Sequence, residues 1–330
     1  MSGQEYTLQD SDVVEVQKSY FFDGMTLPVS VYMKLAAQRY LLIGKKAEKS
    51  IFSTLASFKN ENSKIFVLKK DHDEFIRSMT NFTEAILAKE EVPNAMKAKY
   101  VTGIAENVIE NFASKKFSSE VQLNKVSKMV VTLCQNVSGF DEVAKIMADL
   151  PNEESKHAMA TCMVSLIICE EMEIKQPLVL EKMAKAALLH DIGLRYIPQE
   201  FQKRPQHEWT AEERTAYESH PVKTVEALRD LKEITNDVLI AIAEHHENAL
   251  GTGFPKKIRD VKMSPLGRIL ACANYFSQLI FERIPGAKIY DAIGAVDYME
   301  DIVGQPFNKQ VFRALKNIVN KDELKRKMQS

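Results

Sequence analysis

Residues 177–193 read PLVLEKMAKAALLHDIG, and this stretch decides the fold. Met183, Ala187 and Leu188 recur at helical spacing as one apolar face, so a helix is predicted over 178–192. His190 and Asp191 close it, just before the helix-terminating Gly193. Side chains in the last turn of a buried helix point into the space at its end, so two groups able to hold a metal are aimed at one place. The construction recurs at His245 and His246, which follow Val238, Leu239, Ile242 and Ala243 and precede Glu247. His220, with Pro221 behind it, stands at or just before the start of another helix. Glu153 and His157 are four residues apart, one turn from each other on a single helix face.

A lone buried histidine is explained by a hydrogen bond to a neighbouring backbone. Four separate elements, each burying a costly polar group, are not explained so simply. Imidazole nitrogen and carboxylate oxygen both suit first-row divalent metals, and helical proteins assemble multinuclear centres from facing helices. His207, in a loop with Pro205 and Trp209, is read as structural. His72, between Asp71 and Asp73, is read as a solvated residue at a helix start.

The 330 residues leave room for two domains. A hydrophobic content of 45% with 27% charged residues describes an ordinary soluble chain, and a net charge of -1 gives no global attraction to duplex nucleic acid or an anionic membrane. No apolar run approaches the roughly 18 residues of a membrane span. The N-terminus carries no secretory pattern, and the Lys-Asp-Glu-Leu string at 321–324 is internal, so a cytoplasmic location without membrane partners is expected. Cysteines 134, 162, 169 and 272 lack metal-type or disulfide spacing; free thiols are expected, with Cys162 and Cys169 on one buried helix face.

Three regions are expected. Residues 1–80 read as a small α/β domain of sensory or regulatory role, with strand-like runs at 27–34, 39–43 and 64–68 and helices at 48–58 and 71–79. Residues 81–150 are helical and read as a connector or dimerisation element, with core packing the simpler use of their apolar stripes. Residues 151–330 read as an all-helical bundle, with helices at 153–172, 178–192, 220–230, 233–246, 264–282, 288–301 and 308–326. The whole is mainly α.

The succession His157, His190-Asp191-Ile192-Gly193, His220-Pro221, His245-His246-Glu247 and Gly251-x-Gly253-Phe254-Pro255 resembles the HD-GYP branch of the HD superfamily. The resemblance runs over about residues 150–320 and takes in Arg268-Ile269-Leu270, Ala273-Asn274-Tyr275-Phe276 and Gly304-x-x-Phe307. In that family these motifs build a metal-centre phosphodiesterase that opens and degrades cyclic di-GMP. The resemblance implies that His157, His190 and Asp191 hold one metal, that Asp191 bridges to a second, and that His220, His245 and His246 complete the centre. Glu153 takes the place of an extra carboxylate for a third metal. Asp191, with a water activated by the metals, is the implied catalytic group. Iron is placed ahead of manganese, although spacing does not choose between them. The implied ligand is cyclic di-GMP or a related dinucleotide, with a signalling protein or a second copy of the chain as further partners.

Three departures from the family pattern bear on activity. Leu194 stands where the family has a phosphate-facing lysine, Phe254 where it has tyrosine, and Asn274 where it has aspartate, leaving Asn274 a weak metal ligand or none. Ser277 replaces a second aspartate. Lys256 and Lys257, with Arg259 beside them, are candidates to restore positive charge, and Lys256, Lys257, Arg268 and Phe254 are the expected substrate-binding residues. Two functions remain open at this stage: a cyclic-dinucleotide hydrolase of reduced activity, and a signalling module that binds nucleotide or protein without turnover.

Overall fold

Alternating apolar residues in the first part of the chain form a five-stranded antiparallel sheet, β1 (Glu5–Thr7), β2 (Val13–Val16), β3 (Val31–Ala36), β4 (Arg39–Gly44) and β5 (Ile65–Leu68), in the order β1-β4-β3-β5-β2. The structure is a computed structural model that describes residues 4–16, 18–21, 25–49, 64–113, 120–137, 139–148, 153–281, 288–302 and 306–329. The period of two sends Val13, Tyr32, Tyr40 and Phe66 into one apolar cluster. Helix α1 (His72–Leu87) follows, and its Phe75 packs against the rings of Tyr20 and Phe21 at 5.4 and 5.7 Å. The three expected strands appear as β3, β4 and β5. The two short edge strands, three and four residues long, carry too little alternation to be predicted. The expected helix at 48–58 falls largely outside the described residues. His72 is not solvated as expected: its side chain is only 13% exposed.

The chain divides into two compact units, Met1–Asn107 and Val108–Ser330, rather than at 80 and 150. The expected connector is shared between them. Helix α1 belongs to the sheet unit, and α2 (Asn94–Ala113) runs up to the division and past it. Helices α3 (Glu120–Cys134) and α4 (Phe140–Ala148) pack onto the C-terminal bundle, where Leu123, Val126, Val130 and Leu133 are buried as a core stripe.

The bundle is organised around α5 (Glu153–Glu171). From His157 to Cys169 every residue of α5 is buried, the signature of a helix that is apolar all round and enclosed by others. It contacts α3, α4, α6 (Pro177–Leu189), α10 (Pro265–Ile280) and α12 (Lys309–Gln329). Helices α7 (Ala211–Glu218), α8 (His220–Leu228), α9 (Asn236–Glu244) and α11 (Ala292–Asp297) complete it; α8 and α9 pack on each other and α9 packs on α6 and α10. Among the described residues this unit contains no strand, and no helix is long and apolar enough to cross a membrane.

Helix α7 lies in a stretch expected to be loop. A capping box starts it: Thr210 Oγ1 accepts from Glu213 N–H, and the Glu213 carboxylate accepts from Thr210 N–H. All four cysteines are buried and free, and burial pushes each thiol up, away from thiolate chemistry.

The C-terminal helix also closes α4. Phe140 N–H donates to Asp322 Oδ2 at 2.6 Å, and Arg326 pairs with Asp141. Gly139 permits this approach, because its φ is +153° and an added Cβ would lie 2.1 Å from Asp322 Oδ1. Gly139→Ala should therefore cost about 1–3 kcal/mol and lower the melting temperature by several degrees in a thermal unfolding scan. An unchanged melting temperature would show that this junction is not under the stated constraint.

Candidate metal centre

Four helix segments deliver the predicted ligands to one place. His157 comes from the first turns of α5, His190 and Asp191 from the end of α6, His220 from the first residue of α8, and His245 and His246 from the end of α9. His157, His190 and Asp191 form one converging group; Asp191, His220, His245 and His246 form a second that shares Asp191. The Asp191 carboxylate is divided between them. Its Oδ2 lies 3.7 Å from His157 Nε2 and 3.4 Å from His190 Nε2, while its Oδ1 lies 3.2 Å from His220 Nε2 and 3.6 Å from His245 Nε2.

Three of the imidazoles are oriented alike. His190, His220 and His245 each direct Nδ1 at the carbonyl three residues earlier, Ala187 at 2.7 Å, Tyr217 at 2.7 Å and Ile242 at 2.6 Å. A carbonyl only accepts, so each Nδ1 carries the hydrogen and the neutral ring presents a lone pair at Nε2. His220 Nε2 then faces His245 Nε2 at 3.0 Å, and His157 Nε2 faces His190 Nε2 at 3.2 Å. Between His220 and His245, two lone pairs at that distance cannot hydrogen-bond each other; a cation between them resolves the repulsion. Burial lowers the His245 pKa against the opposing pull of Asp191, and lowers that of His246 well below the ordinary value, with the charges of His245 and His220 adding to the effect. Neutral imidazole is the ligand form. The His246 Nε2 is buried and has no hydrogen-bond partner among the described residues. The donor set fits divalent metal.

Buried groups that touch no imidazole nitrogen hold this arrangement. Thr224 Oγ1 accepts from Gly193 N–H at 2.8 Å and has the carbonyls of His190 and His220 at 3.0 and 2.9 Å, so one hydroxyl ties the ends of two ligand-bearing helices. Gly193 must lack a side chain, since a Cβ would meet the His220 carbonyl at 2.1 Å. The Glu247 carboxylate accepts from the N–H groups of Lys256 and Ile258, and Phe254 N–H donates to the His246 carbonyl at 3.1 Å. This seats the Phe254 ring on His246, stacked at 4.3 Å. The Phe254-Pro255 peptide is cis. Glu244 accepts from Ser264 N–H and Oγ–H at the start of α10.

The remaining candidates are placed differently. The side chain of Glu153 lies outside the described residues. Asn274 is buried on α10 and its Oδ1 accepts from Gln278 at 3.5 Å. Arg268 Nε donates to the Asp260 carbonyl at 2.9 Å, and Lys256 and Lys257 are exposed on the loop. Beside His246 and Phe254 opens a cleft of about 380 Å³, and of the expected substrate-binding residues only Phe254 lines it. Among the described residues its cations are Arg214 and Lys288, and its aromatic wall includes Trp209, Tyr217, Tyr275 and Tyr290. Leu194 does not leave a gap facing a phosphate. It is 6% exposed and packs with Ile197, Phe201 and Trp209, so a lysine there would bury its ammonium in an apolar cluster.

The HD domain family matches residues 142–311, more than half of the chain. The chain belongs to the HD domain family. Its relatives include the cyclic di-GMP phosphodiesterase PA4108 of Pseudomonas aeruginosa, 30% identical over 158 residues that make up 48% of this chain and 37% of that protein. The cyclic di-GMP phosphodiesterase PdeB of Borreliella burgdorferi is 21% identical over 50% of this chain and 42% of that protein. A 3'3'-cGAMP-specific phosphodiesterase 3 of Vibrio cholerae is 32% identical over 41% of this chain and 29% of that protein. The matched part of this HD chain thus spans less than half the length of these relatives. Among solved structures, Bd1817, a HDG"Y"P protein from Bdellovibrio bacteriovorus, superposes with a TM-score of 0.71 at 20% identity, over 94% of this chain and 100% of that one, a likeness of fold. The HD-GYP resemblance drawn from motif order accords with these findings.

Thr224→Val keeps the shape of a residue within this HD site and removes its hydroxyl. Left unsatisfied, the buried Gly193 N–H should cost about 1–3 kcal/mol, read by thermal unfolding, whereas Thr224→Ser should retain most of the stability. Identical melting curves for the two variants would contradict the assigned role.

Proposed function

We propose that this HD domain is a metal-dependent phosphodiesterase acting on cyclic di-GMP or a related cyclic dinucleotide. The observation that carries the reading is the Asp191 carboxylate, one oxygen turned to His157 and His190 and the other to His220 and His245. On this reading His157, His190 and Asp191 hold one metal, and Asp191, His220, His245 and His246 hold a second. Bound there, divalent metals supply Lewis acidity and an activated water at neutral pH, the chemistry that phosphodiester hydrolysis requires. The histidine-rich donor set with one carboxylate suits iron or manganese, and we place iron first.

The chain's own residues prepare the reactant. Arg214 and Lys288 offer positive charge to a phosphodiester in the cleft, while Trp209, Tyr217 and Tyr275 offer flat faces to the bases. The names of the curated relatives, cyclic di-GMP and 3'3'-cGAMP phosphodiesterases, support a cyclic dinucleotide as the substrate class. A second reading, nucleotide binding without turnover, is favoured by two particular side chains. Phe254 closes the cleft beside His246 without a hydroxyl to donate, and Asn274 offers a neutral amide where a carboxylate would bind metal more strongly.

Elemental analysis of protein reconstituted with iron or manganese should give at least two metals per chain, and the loaded protein should convert cyclic di-GMP to its linear dinucleotide. Asp191→Ala should retain less than one metal and lose at least about a hundredfold in rate, since it removes a ligand common to both groups. Binding of cyclic di-GMP to metal-loaded protein without cleavage would establish the second reading instead.

A further inference from the structure

Glu218, the last residue of α7, is the only acid among the described residues that line the cleft. It is half-buried, and among the described residues its carboxylate has no hydrogen-bond or ion-pair partner. Arg214, one helical turn earlier, would be the natural counter-ion; its guanidinium donates instead to the Gln206 carbonyl at 3.2 Å. An unneutralised carboxylate in a cleft that receives a phosphodiester repels the anionic part of the ligand. It belongs opposite a part that presents hydrogen-bond donors.

We propose that Glu218 reads the guanine base, an inference that rests on the cyclic-dinucleotide reading above. Guanine carries N1–H and the N2 amino group side by side, and two carboxylate oxygens accept from both at once. Adenine places an acceptor nitrogen beside its amino group, so the second carboxylate oxygen would face a lone pair. The neighbouring rings suit the same ligand: Tyr217 adjoins Glu218 in sequence, and Trp209 lies 5.1 Å from Tyr217 between ring centroids, giving aromatic faces beside the hydrogen-bonding group. Arg214 and Lys288 remain for the phosphates, so charge and base recognition fall to different side chains of one cleft.

The test is calorimetric binding of three mononucleotides to the full chain: guanosine, inosine and adenosine 5'-monophosphate. Inosine keeps N1–H and lacks the N2 amino group, so it separates one carboxylate contact from two. The parent should bind the guanosine form about tenfold to hundredfold more tightly than the adenosine form, with inosine between them. Glu218→Gln, which replaces one acceptor with a donor, and Glu218→Ala should both lose that preference. Retention of the guanosine preference in both variants would overturn the assignment. A parent that hydrolyses cyclic di-GMP but binds guanosine and adenosine forms equally would overturn it while leaving the phosphodiesterase reading intact. A parent that neither hydrolyses cyclic di-GMP nor binds guanosine monophosphate would end both.

Discussion

Much of the bundle depends on a short hydrogen bond made three times, from a ring Nδ1 to the carbonyl three residues back. At His190, His220 and His245 it fixes which nitrogen carries the hydrogen and which way the other lone pair points. The bond is local, but its result is not, because lone pairs from separate helices must then meet in one buried space. Such an arrangement is costly until something positive occupies it. The packing of α5, α6, α8 and α9 can be understood as the scaffold that keeps these helix ends together against that cost.

Carboxylates around the histidines divide by task. Asp191 turns both oxygens to imidazole, whereas Glu244 and Glu247, on and just after the end of α9, are taken up by main-chain N–H groups of the following loop and of α10. Glutamate beside a histidine pair is thus no sign of a metal ligand by itself. Here it shapes the loop that lays Phe254 on His246.

Helices α5, α6, α8, α9, α10 and α12 were legible because their apolar spacing agrees with the prolines in the loops between them, and at α6 with the terminating Gly193. The convergence of the histidines was legible too, since each falls at a helix end or on a buried face. Other features depend on residues far apart in sequence. The cleft draws Trp209, Phe254, Tyr275 and Lys288 from four segments, and no local pattern announces that meeting. Leu194 follows the His-Asp-Ile-Gly motif directly, yet its surroundings come from Phe201 and Trp209, so the motif marks the absent lysine without showing what the leucine packs on. Thr224 looks like an ordinary helix residue until the carbonyls of His190 and His220 are placed on either side of it. Helix α7 had a readable signal in Thr210 and Glu213, masked by its polar composition.

The enclosure of α5 has a consequence for traffic. From His157 to Cys169 this helix has no solvent face, and His190, His220 and His245 are equally closed off. His246 is the imidazole of the set that borders the cleft, with the Phe254 ring lying over it. An ion or chelator that enters through the cleft therefore meets His246 first, and a nucleotide lodged there lies across that way in.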